Sequence, residues 1–480
     1  MGLPGIADTG RRTTGARADE NLGLPQTTDV GRTARRVGSP QHRNRAMTVS
    51  DTQPLAWFST ALSRLRLKRV LGPGLITGAA DDDPSGIATY SQAGAQFGFS
   101  ITWTLLLTYP LMAVIQEISA RIGRTTGKGI AANLRHHYPN WVLQFIVGLL
   151  VVANTINVGA DLSAMADALR LLIGGPLFLY VALFGGLCSL AQVFIPYSKY
   201  VSALRWLTIA LFAYFATAIV VRVPWGEALA GFFIPTFSAD TQFWTVVVAI
   251  FGTTISPYLF FWQASQEVEE IRNVRARRPL VSSPRQGEDA IRRIKADTYA
   301  GMAYSNLVAL AIMFTTAATL HATGHTDIET STQAAQALRP VAGPFAFAIF
   351  ALGIIGTGLL AIPVLAGSAA YAVGEARRWP IGLDRKPASA KCFYATIVIA
   401  TVSGIAIAFS PLDPIKALFW CAVINGGVAV PVMAVMMFIC TNRNIMKQFV
   451  VSGTLKVLGW IAIAIMTAAV VGMIATSVPL

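Results

Sequence analysis

Residues 72–98 read GPGLITGAADDDPSGIATYSQAGAQFG, an apolar stretch long enough to cross a bilayer but interrupted at its centre by aspartates 81–83. Pro84 follows the aspartates directly, lacks a backbone donor and disfavours a helical conformation at the residue before it. Gly86 adds backbone freedom two residues later. Because a carboxylate at mid-membrane depth is costly, a simple membrane anchor would not carry this cluster. The stretch therefore predicts two half-helices separated by a break.

The composition of the whole chain is typical of a membrane protein. Of its 480 residues, 54% are hydrophobic and 13% are charged, whereas soluble domains carry about 25% charged residues. The formal net charge of +14 is concentrated in the N-terminal region and in alternate loops, so we expect no nucleic-acid partner. The four cysteines lie in or beside apolar runs without a CxxC pair, which predicts buried apolar residues and no zinc site.

Apolar segments recur from Val70 onward, and eleven of them are long enough to span about 30 Å. The predicted spans are residues 70–98, 101–121, 142–172, 177–196, 200–221, 242–266, 298–321, 344–373, 392–410, 415–439 and 454–477. Residues 1–68 are rich in Arg, Thr, Gly, Asp and Pro and are predicted to be a disordered basic cytoplasmic tail, with Met47 as a second candidate start. We therefore predict an all-α polytopic membrane protein with its transmembrane domain over residues 69–478.

The distribution of lysine and arginine predicts how the chain is oriented. With the N-terminus in the cytoplasm, the loops 121–141, 267–297 and 374–391 are cytoplasmic and carry most of the basic residues between spans. The opposite loops carry few, which is the positive-inside pattern, and an error of one span would remove it. We expect a multi-pass protein of the cell (inner) membrane, in contact with the lipid bilayer and with no obligate protein partner.

A second span is interrupted in the same way as the first. Residues 246–270 read VVVAIFGTTISPYLFFWQASQEVEE, and the centre holds Gly252, Thr253, Thr254, Ser256 and Pro257. Spans 1 and 6 are the first members of two five-span halves, predicted as inverted repeats over about residues 69–222 and 242–440 with an extra helix at 454–477. Broken helices at matched positions of inverted repeats mark the substrate site of many transporters. The alternative is that the prolines only kink continuous helices.

The chemistry of the two breaks favours a cation. A helix that ends in mid-membrane leaves its last carbonyls unpaired, with about half a negative charge. We expect the Ala80 carbonyl, the Asp83 carboxylate and hydroxyls from Thr253 or Ser256 to converge as an oxygen cage, which suits Mg²⁺ or Mn²⁺. Successive helical residues point about 100° apart, so the three aspartates cannot all face one site. Asp83 is the first choice, and Asp82 is the second carboxylate or a gate.

Four further polar residues at membrane depth are candidates for the ion pathway. Asp161 lies in the third span, and intramembrane acids are functional by default. Gln263 and Glu267 lie on the inner half of span 6, where Glu267 is expected to line the inner exit. Asn425 precedes two glycines that are expected to break span 10, and it would contribute an amide oxygen.

These motifs resemble the Nramp family of divalent metal transporters. Five stretches carry the resemblance: the Asp-Pro-Ser-Gly of 83–86 with QAGAQFG of 92–98, IQEISARIGRTTGK of 115–128, GADLSAMADAL of 159–169, IFALGIIGTG of 349–358 and TNRNIMK of 441–447. The resemblance covers residues 68–478 and implies a LeuT-type fold with an inverted 5+5 repeat and broken helices 1 and 6. It also implies transport of a divalent metal ion, with no cofactor.

Where this chain departs from the family pattern, it resembles the magnesium-transporting relatives within that family. Gly86 stands where the family has a metal-binding Asn, and Ala164 stands where it has a third-span Glu. Ser256-Pro257-Tyr258 replaces the family's Met-Pro-His. Gly86 is nevertheless a candidate site residue, because it and Ser256 are small and are expected to widen the site for Mg²⁺, which dehydrates reluctantly. The resemblance implies Mg²⁺ uptake with Mn²⁺ tolerated and without proton coupling; the alternative is a proton-coupled Mn²⁺/Fe²⁺ importer.

Other functional classes receive little support from the chain. It contains no HExxH, GxGD or phosphate-binding GKS/T motif and no Ser/His/Asp arrangement at membrane depth, so we expect no enzyme. An amino-acid carrier of this fold would present half-helix N-termini to a carboxylate and would not need an aspartate at the break. A sensor or scaffold without transport is a further alternative, which metal flux would exclude.

Overall fold

The computed structural model describes residues 77–78, 80–195, 211–221, 223–328, 330–410 and 413–477. Within these ranges, every regular element is helical. The predicted tail at residues 1–68 lies outside the described part of the chain.

The helices follow the predicted spans. A leading segment, helical at residues 77, 78, 80 and 81, precedes the first break. The α-helices that follow are, in chain order, α1 (Pro84–Phe97), α2 (Trp103–Thr126), α3 (Ile130–His137), α4 (Asn140–Ile173), α5 (Leu177–Phe194), α6 (Phe212–Val220), α7 (Trp225–Phe233), α8 (Thr241–Thr254), α9 (Pro257–Asn273), α10 (Gly287–Thr319), α11 (Ser331–Gln336), α12 (Arg339–Ala342), α13 (Ala346–Arg377), α14 (Lys391–Ala408), α15 (Pro414–Thr441), α16 (Arg443–Met446) and α17 (Gly453–Ser477).

Each of the eleven predicted spans contains helix. In the described ranges, nine helical stretches are long and apolar enough to cross a membrane, with α8 and α9 taken together as one of them. The first and fifth spans are described only in part, as the leading segment with α1 and as α6. The predicted all-α polytopic fold class is confirmed, whereas the division into two repeats with these boundaries stays a prediction.

The connections differ from the prediction because several helices extend beyond the apolar core. The expected loop at 267–297 shrinks to residues 274–286, since α9 runs to Asn273 and α10 already begins at Gly287. Short helices α3 and α7 fill parts of two other connections. Polar residues can continue a helix outside the bilayer, so hydropathy alone places its end too early.

The predicted break at Asn425 is wrong, because α15 runs unbroken through this position. The glycines here serve helix packing. A Cβ added to Gly252 of α8 would lie 2.0 Å from the Ala422 carbonyl oxygen and 2.4 Å from the Gly426 nitrogen. Small residues at such crossings let two membrane helices approach closely. The glycine next to Asn425 therefore brings α15 against the end of α8, beside the second break.

The loops that follow α2, α9, α13 and α15 meet at one end of the bundle, which we call the basic end. Leu280 in the loop after α9 donates its N–H to the Arg124 carbonyl at the end of α2, at 3.3 Å. Arg272 at the end of α9 donates to the Ile381 carbonyl in the loop after α13, at 3.1 Å. These contacts gather the arginine-rich loops on one side, as the charge pattern predicts.

Candidate ion site at the helix breaks

The first break lies at the predicted position. The leading segment ends at Asp81, and α1 begins at Pro84. Asp83 is the N-cap of α1, and its Oδ1 accepts hydrogen bonds from the Gly86 N–H at 2.8 Å and the Ser85 hydroxyl at 2.7 Å. Such a cap satisfies donors at the helix start, and the Pro at the first helical position needs none. The carboxylate is thereby fixed within the break, with Oδ2 directed elsewhere.

The second break separates α8, which ends at Thr254, from α9, which begins at Pro257. Ser256 lies between them, and its hydroxyl lies 2.9 Å from the Gly252 carbonyl and 2.8 Å from the Thr253 carbonyl. The hydroxyl hydrogen therefore serves the end of α8, where carbonyls lack helical partners. As a candidate ligand, Ser256 retains only the lone pairs of its oxygen.

The two breaks meet through Tyr258. Its hydroxyl lies 3.3 Å from the Ala80 carbonyl oxygen and 3.3 Å from Asp83 Oδ2. Asn157 of α4 donates to the same Oδ2 from 3.2 Å. The carbonyl at the end of the leading segment and the carboxylate of Asp83 thus lie on either side of one phenol, as the convergence of Ala80 and Asp83 predicts.

Tyr258 and Asn157 are site residues that the sequence pattern did not single out. In the sequence, Tyr258 is notable only because it stands where the family has a histidine. Asn157 lies four residues before Asp161, so the two share one face of a helix. That spacing was the available signal for Asn157.

Gly86 and Thr253 face each other across the breaks. A Cβ on Gly86 would lie 3.1 Å from the Thr253 hydroxyl oxygen, 3.4 Å from the Tyr90 ring and 3.5 Å from the Asp81 carbonyl oxygen. Gly86 and Thr253 are therefore closely packed, because even a methyl group at Gly86 would lie nearer to the hydroxyl than an ordinary van der Waals contact. Thr253 is 1% exposed, so this contact between the two breaks is closed off from solvent.

Asp161 and Asn425 are buried close to this region. Asp161 is 0% exposed and within electrostatic reach of Asp83 and Tyr258. Neither of its carboxylate oxygens has a hydrogen-bond partner in the described part of the chain. The Asn425 amide, on α15, is likewise buried without a partner among the described residues. Both polar groups therefore have hydrogen-bonding capacity that the described residues do not use.

Asp82 is directed away from the partners of Asp83. The Ser305 hydroxyl of α10 lies 2.6 Å from Asp81 Oδ2 and 3.1 Å from Asp82 Oδ1, so its single hydrogen is shared by the two. The prediction that the three aspartates do not face one site agrees with this arrangement. Asp82 Oδ2 is buried without a hydrogen-bond partner among the described residues, and the roles of Asp82 as second carboxylate or as gate both stay predictions.

The basic end of the pathway is closed by polar contacts. Gln263 of α9 accepts a hydrogen bond from Thr77 of the leading segment at 2.5 Å, which ties the two half-helices together. One turn further on, the fully buried Glu267 pairs with Arg293 of α10 at 2.6 Å. Arg293 also lies 3.2 Å from Glu270. In this conformation Glu267 is therefore held in an ion pair, and its expected role in lining the inner exit stays a prediction.

A cavity opens at the other end of the bundle. It encloses about 910 Å³ and is lined mainly by α1, α8, the loop at 326–328 and the start of α15. Of its lining residues, Gln92 and Val246 lie nearest to the breaks along the chain, six and seven residues from Gly86 and Thr253. At 1.5 Å per helical residue, they lie about 10 Å from the breaks. The break residues themselves are buried and do not line the cavity.

The groups bonded to Asp83 and Ala80 at the breaks are neutral. In the described ranges, no group of three or more His, Cys, Asp or Glu side chains is arranged to hold a metal ion. Asp83 contributes a carboxylate, and its surroundings contribute amide, hydroxyl, phenol and carbonyl groups, while Asp81 and Asp82 of the same break lie on the Ser305 hydroxyl. Oxygen donors of this kind suit hard divalent cations.

Comparison with known proteins agrees with the architecture. The family described as "Natural resistance-associated macrophage protein-like" (Nramp) matches residues 74–476. The divalent metal cation transporter MntH of Klebsiella pneumoniae is 26% identical over 422 residues, covering 85% of this chain and 94% of the relative. The MntH of Mesorhizobium japonicum is 28% identical over 334 residues, covering 67% and 69%.

Solved structures give the same fold. A manganese transporter from Eremococcus coleocola superposes with a TM-score of 0.67 and 17% identity, over 89% of this chain and 90% of that one. A mutant of the same transporter gives a TM-score of 0.68 over 89% of each chain. At this identity the likeness establishes the architecture alone.

Proposed function

This chain belongs to the Nramp family, and on that premise we propose that it carries divalent metal cations across a membrane through its two helix breaks. The observation that carries the proposal is the placement of the Tyr258 hydroxyl between the Ala80 carbonyl and the Asp83 carboxylate. A partial negative charge and a full one thereby face a common point inside the membrane. A passing cation would neutralise both, and no catalytic role is proposed.

We assign Mg²⁺ as the preferred ion, with Mn²⁺ also accepted. The groups bonded to Asp83 and Ala80 offer oxygen or N–H and no sulfur or imidazole. The Cys421 thiol lies within electrostatic reach of Asp161 and Asp83, so its sulfur is the candidate soft ligand that a substitution must test. Oxygen donors of this kind favour a hard cation such as Mg²⁺, and Mn²⁺ shares its oxygen preference.

Transport is proposed to follow the electrochemical gradient without proton coupling. Tyr258 and Ala164 stand where the family pattern has titratable His and Glu residues, which removes two proton carriers. One observation favours the alternative of a proton-coupled Mn²⁺/Fe²⁺ importer: Asp161 is buried without a hydrogen-bond partner in the described residues and is able to accept a proton. Measurement of proton flux separates the two.

The proposed route runs from the cavity to the basic end. The ion would enter between α1 and α8, reach Asp83, and leave past Gln263 after the Glu267–Arg293 pair opens. We assign the basic end to the cytoplasm of a cell (inner) membrane, with a cytoplasmic N-terminus, because positively charged loops remain on that side.

The test is uptake into liposomes that contain the purified full-length chain. Internal indicators would follow Mg²⁺ or Mn²⁺ together with internal pH, with the membrane potential set negative inside. We expect Mg²⁺ and Mn²⁺ to enter in response to the potential while internal pH stays constant. Acidification that scales with metal influx would establish the coupled importer instead. Absence of flux for both metals, compared with protein-free liposomes, would overturn metal transport.

A further inference from the structure

A cluster of cationic and titratable side chains, which we call the basic patch, lies at the basic end away from the ion pathway. Its members are Lys128, Arg135, His136, His137, Arg378 and Lys447. They come from four separate segments: the loop after α2, the end of α3, the residue after α13 and the residue after α16. The fold therefore assembles the patch from positions far apart in the chain.

The patch is electrostatically uncompensated. Besides partial burial, the neighbouring Lys128, Arg135 and Arg378 lower the pKa of His136, and Lys128 and Lys447 lower the pKa of His137. Each imidazole thus sits in a positive field, which disfavours its charged form. A bound anion would reverse that field.

An acid beside the patch, Glu375, already uses its carboxylate in other hydrogen bonds. Glu375 is buried, and its two carboxylate oxygens accept the N–H groups of Gly129 and Ala132 at the start of α3, each at 3.0 Å. Arg135 donates to the Glu375 backbone carbonyl. In the part of the chain that the structure describes, no salt bridge involves any member of the patch.

The backbone at two patch residues is strained. Arg378 has φ 62° and Lys447 has φ 52°, and no other non-glycine residue in the described ranges has a positive φ. Glycine would adopt this conformation without strain, so a basic side chain at both positions is retained at a conformational cost. Strain of this kind concentrates at functional sites.

The patch lies at the depth of lipid headgroups. It borders the ends of three candidate spans, where α2 ends at Thr126, α4 begins at Asn140 and α13 ends at Arg377. Trp141, in the first turn of α4, is 71% exposed. Exposed tryptophans at span ends mark the membrane–water interface. These span ends place the patch where lipid headgroups would reach it.

We infer that the basic patch binds the headgroup of an anionic phospholipid in the leaflet at the basic end. The lipid phosphate would accept hydrogen bonds from the free donors of Lys128, Arg378 and Lys447 and relieve their mutual repulsion. Basic pockets beside span ends recognise anionic headgroups by this chemistry. The lipid would hold α3 against the ends of α2 and α13, independently of which metal is carried.

The experiment titrates the purified full-length chain with a short-chain phosphatidylglycerol, with phosphatidylcholine as the neutral match, and follows binding by native mass spectrometry and thermal stabilisation. The test variant combines Lys128→Gln, Arg378→Gln and Lys447→Gln. The matched control combines Arg275→Gln, Arg285→Gln and Arg292→Gln, which removes the same charge from exposed residues of the same end. We expect phosphatidylglycerol to bind the wild type and the control, and to bind the test variant at least about tenfold more weakly, because three basic side chains that attract the headgroup are lost.

Equal phosphatidylglycerol affinity in the test and control variants would overturn the inference. Inorganic phosphate that stabilises the chain as well as phosphatidylglycerol does would also overturn it in favour of a free-anion site. Lys128→Gln alone removes one exposed loop side chain and guards against misfolding of the triple variant; it is expected to weaken binding in the same direction.

The histidines give a second readout. A bound phosphate raises the pKa of His136 and His137 relative to the free patch, so binding must strengthen as these groups become charged. Acidification from about pH 7.5 to about pH 5.5, across the ordinary His pKa of ~6.5, is expected to tighten phosphatidylglycerol binding. Replacement of both histidines by Gln is expected to remove this pH dependence; an unchanged dependence would contradict the placement of the headgroup.

Discussion

Replacement of Tyr258 by Phe removes one hydroxyl from the centre of the proposed ion site and retains the ring that fills the space. The hydroxyl lies 3.3 Å from both the Ala80 carbonyl oxygen and Asp83 Oδ2. It is the group that joins the two helix breaks. Its loss leaves the Asp83 carboxylate with Asn157 on Oδ2 and with its helix-capping bonds on Oδ1.

The magnitude follows from the type of bond that is lost. A bond between a polar group and a charged one contributes about 1.5–3 kcal/mol, and the phenol oxygen is assigned one such contact with the bound ion, as one ligand among several. We therefore take the lower value, ~1.5 kcal/mol, which corresponds to about a tenfold change in an equilibrium constant. Because the other bonds still fix Asp83, the site is weakened and not abolished. We expect the half-saturating Mg²⁺ concentration to rise about tenfold with little change in the maximal rate.

The assay is initial-rate Mg²⁺ uptake into liposomes over a range of external concentrations. The control is Tyr371→Phe, which removes the same hydroxyl from a ring that is 1% exposed and bonded to Glu269 at 3.2 Å. The control is expected to retain the wild-type half-saturating concentration. An unchanged value for Tyr258→Phe, or the same rise in both variants, would refute the assignment of this phenol to the ion site.

Three further substitutions test the pathway. Arg293→Gln breaks the ion pair with the buried Glu267 and should destabilise the closed basic end by ~3 kcal/mol. The opening should appear as faster thiol labelling of a cysteine introduced by Gln263→Cys, and unchanged labelling would contradict closure by this ion pair. Cys421→Ser should leave Mg²⁺ and Mn²⁺ uptake unchanged, whereas loss of either would make the thiol a ligand. Gly86→Ala places a methyl 3.1 Å from the Thr253 hydroxyl oxygen. It should lower Mg²⁺ uptake more than Mn²⁺ uptake when the two metals are compared; an equal effect would exclude selection by size at this position.

The helix breaks were predictable from sequence because their causes are local. Pro84 and Pro257 each occupy the first position of a helix, and the residue before each proline is extended. Proline imposes both features on its immediate neighbours. The same rule predicts that Asp83 lies in the break, but it does not predict that Asp83 caps α1.

The partners across the site were not predictable in this way. Tyr258 and Asp83 are 175 residues apart, and Asn157 and Asp83 are 74 apart. Their contact depends on how three helices pack, which no local pattern encodes. The pairing of Glu267 with Arg293 depends likewise on the position of α10 beside α9.

The error at Asn425 has the converse cause. A glycine pair in a membrane helix is compatible with a break and with close packing, and only the neighbour decides between them. Here α8 lies against the glycine-containing face of α15, so the helix stays continuous. The same packing places the Asn425 amide beside the second break without a break in its own helix.

The central claim is that the Asp83 carboxylate, held where two broken helices meet, is the charge that binds the transported ion. The most direct measurement compares Mg²⁺ and Mn²⁺ uptake by Asp83→Asn with uptake by Asp167→Asn, which neutralises a half-buried carboxylate on α4, six residues after Asp161. The account predicts no uptake by folded Asp83→Asn and near wild-type uptake by Asp167→Asn. Wild-type flux through Asp83→Asn would contradict it.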